Sequence, residues 1–149
     1  MKRLILLPVL ALAACEMPVV DAPVTEESVA TIPAVTLPPP PPRSARTADQ
    51  FDTTSAAERQ AATQVAASAG AELGRTTATL GSPTEPGIWL RTGLVTDVTQ
   101  GRVRYQNRTI NVELRPSGRA AGAGSQISLA AMRLIEAPLT GIIELTVLR

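Results

Sequence analysis

The separation of proline from glycine constrains the fold of this chain more than any other feature. Eight of its thirteen prolines lie between positions 18 and 42, whereas all ten glycines lie at position 70 or beyond. Proline fixes the backbone torsion φ and removes a hydrogen-bond donor, so a proline-dense segment favours extended polyproline II. Glycine supplies the turns that a small β fold needs. The sequence therefore predicts a spacer followed by a turn-rich β domain.

The N-terminus has the pattern of a targeting signal. Lys2 and Arg3 form a positive region, and a short apolar run over residues 4–12 follows. This run is too short to span a hydrocarbon core, which needs about 20 helical residues. Leu12-Ala13-Ala14-Cys15 resembles the bacterial lipobox, in which the cysteine is lipidated and becomes the first residue of the mature chain. The resemblance implies a membrane anchor at Cys15.

The lipobox resemblance makes residues 1–14 the signal peptide and predicts a place in the cell envelope. An Asp after the lipidated cysteine is similar to an inner-membrane retention signal, and this chain has Glu16 there. We therefore expect a protein of the outer membrane that faces the periplasm. Cys15 is the only cysteine, so no intramolecular disulfide can form. The alternatives are an ordinary secreted protein and a buried, unmodified cysteine.

Composition divides the mature chain into three parts, of which the first two are simple. Residues 15–50 are predicted to be a disordered proline-rich tether, with residues 38–42 as a semi-rigid spacer or, alternatively, a ligand for a polyproline-binding domain. Residues 51–70 are predicted to hold an Ala-rich helix, because Ser55-Ala56-Ala57-Glu58 matches the capping box and Gly70 can end a helix. Its apolar face is nearly all alanine, so we expect light docking or exposure.

The third part, residues 75–149, is predicted to be a small basic β domain. Apolar side chains alternate with polar ones on both sides of a turn near position 106, which is the strongest hairpin signal in the chain. The fold class is therefore mainly β: a small antiparallel domain or barrel of five or six strands with one short helix. The predicted elements are strands over residues 76–80, 88–95, 103–105 and 110–114, a short helix over 129–135 and a last strand over 142–148.

Arginine is concentrated in the β domain. Residues 75–149 carry nine arginines and five acids, a balance of +4. Arg102, Arg104 and Arg108 cluster on the predicted hairpin, and planar guanidinium groups suit carboxylate and phosphate ligands. In the periplasm these ligands are peptidoglycan carboxylates and lipid phosphates, and nucleic acid is not expected. The simpler interpretation, which the sequence favours, is that Arg102 and Arg104 form the solvent face of a strand.

Trp89, the only tryptophan, is the fourth candidate ligand-binding residue. An exposed indole could stack on a sugar ring, whereas a buried one would belong to the core. A single tryptophan more often belongs to the core, so the sequence favours that interpretation and keeps sugar stacking as the alternative.

The sequence contains no recognisable catalytic constellation. It has no histidine, which excludes Ser/His/Asp and Cys/His arrangements, and its one cysteine is the predicted lipidation site. The acids of the β domain are scattered without the spacing of a metal-binding loop. We therefore predict no catalytic residue, no cofactor, no metal and no enzymatic activity. The alternative is a cell-wall glycan hydrolase that uses carboxylates alone.

The C-terminal half is similar to the end of rare lipoprotein A-like double-psi β-barrel domains. The similarity consists of strand 109–115, a Pro/Gly loop, a short helix whose start contains Ser128-Leu129-Ala130-Ala131, and strand 142–148. The resemblance implies a double-psi-like barrel. Glycan-cleaving members of that family rely on an Asp and a His, and this chain has no His. The resemblance therefore implies a barrel to which no catalytic residue is carried over.

The whole chain also resembles small alphaproteobacterial lipoproteins of unknown function. The similar stretches are Asp52-Thr53-Thr54 and Pro86-Gly87-Ile88-Trp89-Leu90. Some of these lipoproteins are labelled D-galactarate dehydratase, and nothing in these residues supports sugar-acid dehydration.

Together these features predict a lipid-anchored envelope protein without catalysis. Its β domain is expected to contact peptidoglycan or another envelope protein. An accessory subunit of an envelope complex is a further alternative, in which the Ala-rich helix would be the docking element.

Overall fold

A computed structural model describes residues 37–66 and 70–149, which belong to one compact unit, Val35–Arg149. The predicted signal peptide, Cys15 and the first part of the predicted tether lie outside the described residues. Within the two described ranges, no helix is long and apolar enough to cross a membrane. The elements in chain order are α1 (Ala48–Phe51), α2 (Ala56–Thr63), β1 (Glu72–Leu80), β2 (Trp89–Thr92), β3 (Thr99–Tyr105), β4 (Arg108–Pro116), β5 (Ser125–Ile127), α3 (Leu129–Leu134) and β6 (Ile143–Leu148).

The six strands form a closed barrel in the order β1-β5-β2-β4-β3-β6, with β6 pairing back to β1. The mainly β fold class with one short helix in the β domain is thus confirmed. Most pairs are antiparallel, but β1 pairs with β5 and β2 with β4 in parallel, which strand patterns alone did not predict. The barrel is built from two halves, β1 to β3 and β4 to β6, that have the same connectivity. Exchanging β1 with β4, β2 with β5 and β3 with β6 leaves every pair of neighbouring strands a pair of neighbours.

The predicted hairpin is formed by β3 and β4. Val103 pairs with Ile110, and the last pair, Tyr105 with Arg108, leaves a two-residue turn. Gln106 in that turn has a φ of 51°, the left-handed conformation that such tight turns require. Alternate residues of both strands are buried, as the alternation of apolar and polar residues predicts.

The interior of the barrel is filled by aliphatic side chains from every strand and from α3. Ser128 caps α3, because its hydroxyl accepts hydrogen bonds from the backbone N–H groups of Ala131 and Trp89. This arrangement confirms the predicted short helix and joins its start to β2. The buried core cluster consists of Ala78, Leu90, Val103, Ile110, Val112, Leu114, Ile127, Ala131, Met132, Ile135, Ala137, Ile143, Leu145 and Val147.

Residues 37–66, here called the arm, pack against the outside of the barrel. The predicted capping box at Ser55 and Glu58 is present at the start of α2. The helix ends at Thr63, short of the predicted Gly70, and the side-chain amide of Asn111 donates to the carbonyls of Ala61 and Gln64 at 3.1 and 2.9 Å. Residues 67–69 lie outside the described residues.

The start of the arm differs from the extended tether expected over residues 15–50. Residues 37–50 are part of the compact unit and include the short helix α1, which has its own capping box at Thr47 and Gln50. Pro38 is buried, and the Thr53 hydroxyl donates to the carbonyl of Pro39 at 2.6 Å. The Thr53 side chain therefore ties the start of the proline run to the segment between α1 and α2.

Candidate functional site

The three arginines that were predicted to form a binding cluster have different contacts in the structure. Arg102 donates to the carbonyl of Ala66 at 3.2 Å and so holds the end of the arm. Arg108 forms an ion pair with Glu136 at 2.7 Å. Arg104 is exposed on the outer face of β3. Two of the three candidates thus have partners within the protein, and they do not converge on one site.

Trp89 is a core residue. Its side chain has no exposed surface, and its indole N–H donates to the carbonyl of Glu85 at 3.4 Å. The guanidinium groups of Arg91 and Arg115 lie 5.0 and 5.3 Å from the ring centroid, within the range of cation–π attraction. The ring is therefore covered and cannot serve as a sugar-stacking platform in this conformation.

The two arginines beside Trp89 belong to a cluster of four charged residues. Glu85 accepts from Arg91 at 2.8 and 3.1 Å and from Arg115 at 2.6 Å, and Arg115 also pairs with Glu113. All four side chains are partly buried. The formal charges balance, so this cluster stabilises the β2–β4 side of the barrel and leaves little net charge for a ligand.

The other acids of the described ranges are also mostly engaged. Glu58 completes its capping box, and Glu144 lies 3.5 Å from Arg75. Arg133 pairs with Asp49 and Asp52. Within the described part of the chain, no group of three or more His, Cys, Asp or Glu side chains could hold a metal ion.

A polar groove of about 320 Å³ lies on the opposite side of the barrel from β3. Its floor is the outer face of β1, β5 and β2, and its wall is the loop over residues 117–124. Both charged side chains that line it within the described ranges are arginines. The lining residues are Thr77, Thr79, Arg91, Ser117, Arg119, Ala123, Gly124, Ser125, Gln126 and Ile142.

The wall of the groove is a folded loop. Gly118 and Gly124 have φ values of 69° and 81°, which L side chains rarely adopt, and they bend the loop at both ends. The backbone N–H of Ser117 donates to the carbonyl of Thr92 at 2.9 Å. A Cβ added at Gly93 would lie 2.4 Å from the carbonyl oxygen of Arg119, so the loop packs directly on a glycine backbone. Gly93 therefore allows the close approach that forms the wall.

The two arginines of the groove differ in availability. Arg91 is held by both carboxylate oxygens of Glu85 and contacts the side-chain oxygen of Gln126 at 3.4 Å. The side chain of Arg119 is exposed and makes no hydrogen bond or ion pair within the described ranges. Arg119 is thus the cation that the groove offers to an anionic ligand.

A second, more apolar groove of about 410 Å³ lies between the arm and the barrel. Ala62, Ile88 and Val112 contribute apolar surface to it. Its two carboxylates are already used, because Glu58 completes the capping box and Glu113 pairs with Arg115. This groove is a seam of the arm's packing and presents no acid–base pair.

These features define a small mixed β-barrel with an outer polar groove. Comparisons of the chain with protein-family models, curated proteins and solved structures found no significant match. The sequence predicted only a Pro/Gly loop after strand 109–115, which contains Gly118, Gly122 and Gly124, and did not predict the groove. The signal was Arg119 among those glycines, but nothing in the sequence places that loop beside β1 and Gly93.

Proposed function

We propose that this chain is a lipid-anchored protein of the bacterial cell envelope that binds peptidoglycan through its barrel without cleaving it. The anchor is the lipobox-like Cys15, and the expected place is the outer membrane with the barrel in the periplasm. One observation carries the binding proposal: the polar groove is lined by hydroxyls, an amide and two arginines, without a carboxylate among its described lining. Such a lining suits the acidic, hydroxyl-rich polymer of the cell wall.

The engagement of the acids supports binding over hydrolysis. A glycosidase needs two carboxyl groups that face one bond and can act as acid and base or nucleophile. In the described ranges Glu113 and Glu85 are tied to Arg115, and Glu58 caps α2. Asp49 and Asp52 line one cavity between the arm and α3, and both are paired with Arg133. Among the described residues, the carboxylates that line these grooves and this cavity are therefore held by partners, which disfavours a hydrolase that uses carboxylates alone.

The anchor is tested by metabolic labelling with palmitate. We expect the wild type to incorporate label and to fractionate with the outer membrane, because the thiolate of Cys15 is the acceptor of the lipid. The Cys15→Ala variant should incorporate none. Equal labelling of both proteins would overturn the anchor.

Peptidoglycan binding is tested by sedimenting the detergent-solubilised full chain with purified sacculi and analysing the supernatant for released muropeptides. Binding without release supports the proposal. Release of muropeptides would favour the hydrolase, and neither binding nor release would favour an accessory subunit of a protein complex.

A further inference from the structure

We propose that the polar groove recognises a free carboxylate on a peptide, with Arg119 as the charged contact. This inference rests on the proposed function, because it names the part of peptidoglycan that the groove would take: the stem peptide, whose carboxylates carry the negative charge. It places the ligand site on β1, β5 and β2, away from the hairpin arginines that the sequence singled out.

The first support is that, of the two arginines lining the groove, one is paired with a carboxylate and the other is not. A guanidinium whose charge is already balanced by a carboxylate has little attraction left for a second anion. Glu85 balances Arg91 in this way, because both of its carboxylate oxygens accept from Nη2 of Arg91. Arg119 has no such partner within the described ranges. Any anion that enters the groove therefore meets one unneutralised cation at its wall.

The second support is the chemistry of the rest of the lining. The hydroxyls of Thr77 and Thr79 face outward from β1 and make no side-chain hydrogen bond within the described ranges. They can donate to or accept from a peptide group. Ile142, which is 75% exposed, also lines the groove. An apolar residue beside a free arginine suits a peptide that carries an aliphatic side chain near its carboxylate better than it suits a bare phosphate.

The third support is that the wall is held in place. The loop cannot move toward β2, because the backbone at 119 and 120 already contacts Gly93. Its hydrogen bond to Thr92 fixes the end nearest β4. Arg119 is therefore presented from a defined backbone position, which lowers the entropy lost when a ligand binds.

The test measures binding of a synthetic stem tetrapeptide with free carboxylates by the detergent-solubilised full chain. The same peptide with every carboxylate amidated is the matched ligand. We expect Arg119→Ala to weaken binding of the free-carboxylate peptide by about tenfold or more, the effect of one charge-assisted contact. Amidation should weaken binding to the wild type by a similar factor.

Arg104→Ala is the matched control variant, because it removes the same charge from β3, opposite the groove. It should bind as the wild type does. Tetrapeptide binding that is lost in Arg104→Ala and kept in Arg119→Ala would overturn the inference in favour of the hairpin arginines. Displacement of the tetrapeptide by an equal concentration of inorganic phosphate would overturn it in favour of a phosphate site.

The role of Gly93 gives a second, independent variant. Gly93→Ala places a Cβ against backbone oxygen atoms that cannot rotate away, so the loop must shift. We expect Gly93→Ala alone to weaken tetrapeptide binding. Added to Arg119→Ala, it should weaken binding little further. Gly122→Ala, in the same loop but with no neighbour within 4 Å of the added Cβ, should bind normally. Additive losses in the double variant would contradict the positioning role.

The sacculus experiment separates the two proposals. If the wild type binds sacculi and Arg119→Ala binds them equally well, the groove inference fails while peptidoglycan binding stands. If the wild type binds neither sacculi nor the tetrapeptide, both fail.

Discussion

Gly101 in β3 illustrates how little room the barrel interior leaves for an extra atom. A Cβ at this position would lie 2.4 Å from Cδ1 of Leu114 and 2.8 Å from the carbonyl oxygen of Leu148. We expect Gly101→Ala to lower the free energy of unfolding by about 1–3 kcal/mol, the usual effect of overpacking. Gly122→Ala is the control, because its Cβ meets nothing within 4 Å. Denaturation of both variants is monitored by the fluorescence of Trp89. Equal midpoints would contradict the tight packing around Gly101.

Arg115 is the residue on which the charged cluster beside Trp89 depends. It pairs with both Glu85 and Glu113, and its side chain is only 21% exposed. Arg115→Ala should therefore lower the free energy of unfolding by about 1–3 kcal/mol, since two carboxylates lose a charge-assisted partner. The exposed pair of Arg75 and Glu144 provides the comparison. Arg75→Ala should change the free energy of unfolding by less than about 0.5 kcal/mol. A larger loss in Arg75→Ala than in Arg115→Ala, measured by urea unfolding, would refute this ranking.

The helix α2 is an element whose local stability is separable from that of the barrel. Its start depends on the Ser55 capping box, and Ala62 is its one buried residue among those described. We expect Ser55→Ala to cost the helix about 1 kcal/mol and to raise amide exchange in residues 58–63 about fivefold. The midpoint of barrel unfolding should hardly move. Ser82→Ala, in an exposed turn, should leave that exchange unchanged, and unaltered exchange in Ser55→Ala would mean that tertiary contacts alone hold α2.

The elements differ in how far the sequence predicts them. The β3–β4 hairpin, the α2 start and α3 follow from local patterns, namely alternation, a capping box and a run of small and aliphatic residues. The end of α2 does not follow from a local pattern. The side-chain amide of Asn111, nearly fifty positions later in the chain, donates to the carbonyls at that end. The parallel pairing of β1 with β5 is equally hidden, since β5 has three residues and its register depends on barrel closure.

At the scale of the molecule, the candidate groove could not be read from the sequence because its parts are far apart in the chain. Thr77 and Thr79 come from β1, Arg91 from β2 and Arg119 from a later loop. The excess of arginine in residues 75–149 was visible, but charge pairing decides which of those arginines remain available. Arg108 and Arg91 are satisfied by Glu136 and Glu85, which only the folded chain shows.

The arm and the barrel are joined by contacts that can be weakened without opening the barrel. Arg133 in α3 pairs with Asp49 and with Asp52, whose side chain is 4% exposed, so this arginine ties the arm to the barrel. In Arg133→Ala, the one described contact left to the Asp52 carboxylate is the backbone N–H of Thr54. A charge that is poorly solvated and has lost its ion pair favours release of residues 48–54 from the barrel. We expect faster amide exchange in residues 48–54 and little change in β1 to β6, because every strand of a closed barrel keeps two neighbours.

The matched variant for this prediction is Arg43→Ala, which removes an exposed arginine from the arm itself and should leave exchange in residues 48–54 as in the wild type. Raising the ionic strength to about 1 M, where the Debye length falls to about 3 Å, should speed exchange in the wild-type arm more than in Arg133→Ala. The reason is that the variant has already lost the screened interaction. Exchange that rises equally in the arm and the barrel of Arg133→Ala would show instead that the two unfold as one cooperative unit, and that the ion pairs of Arg133 stabilise the whole molecule.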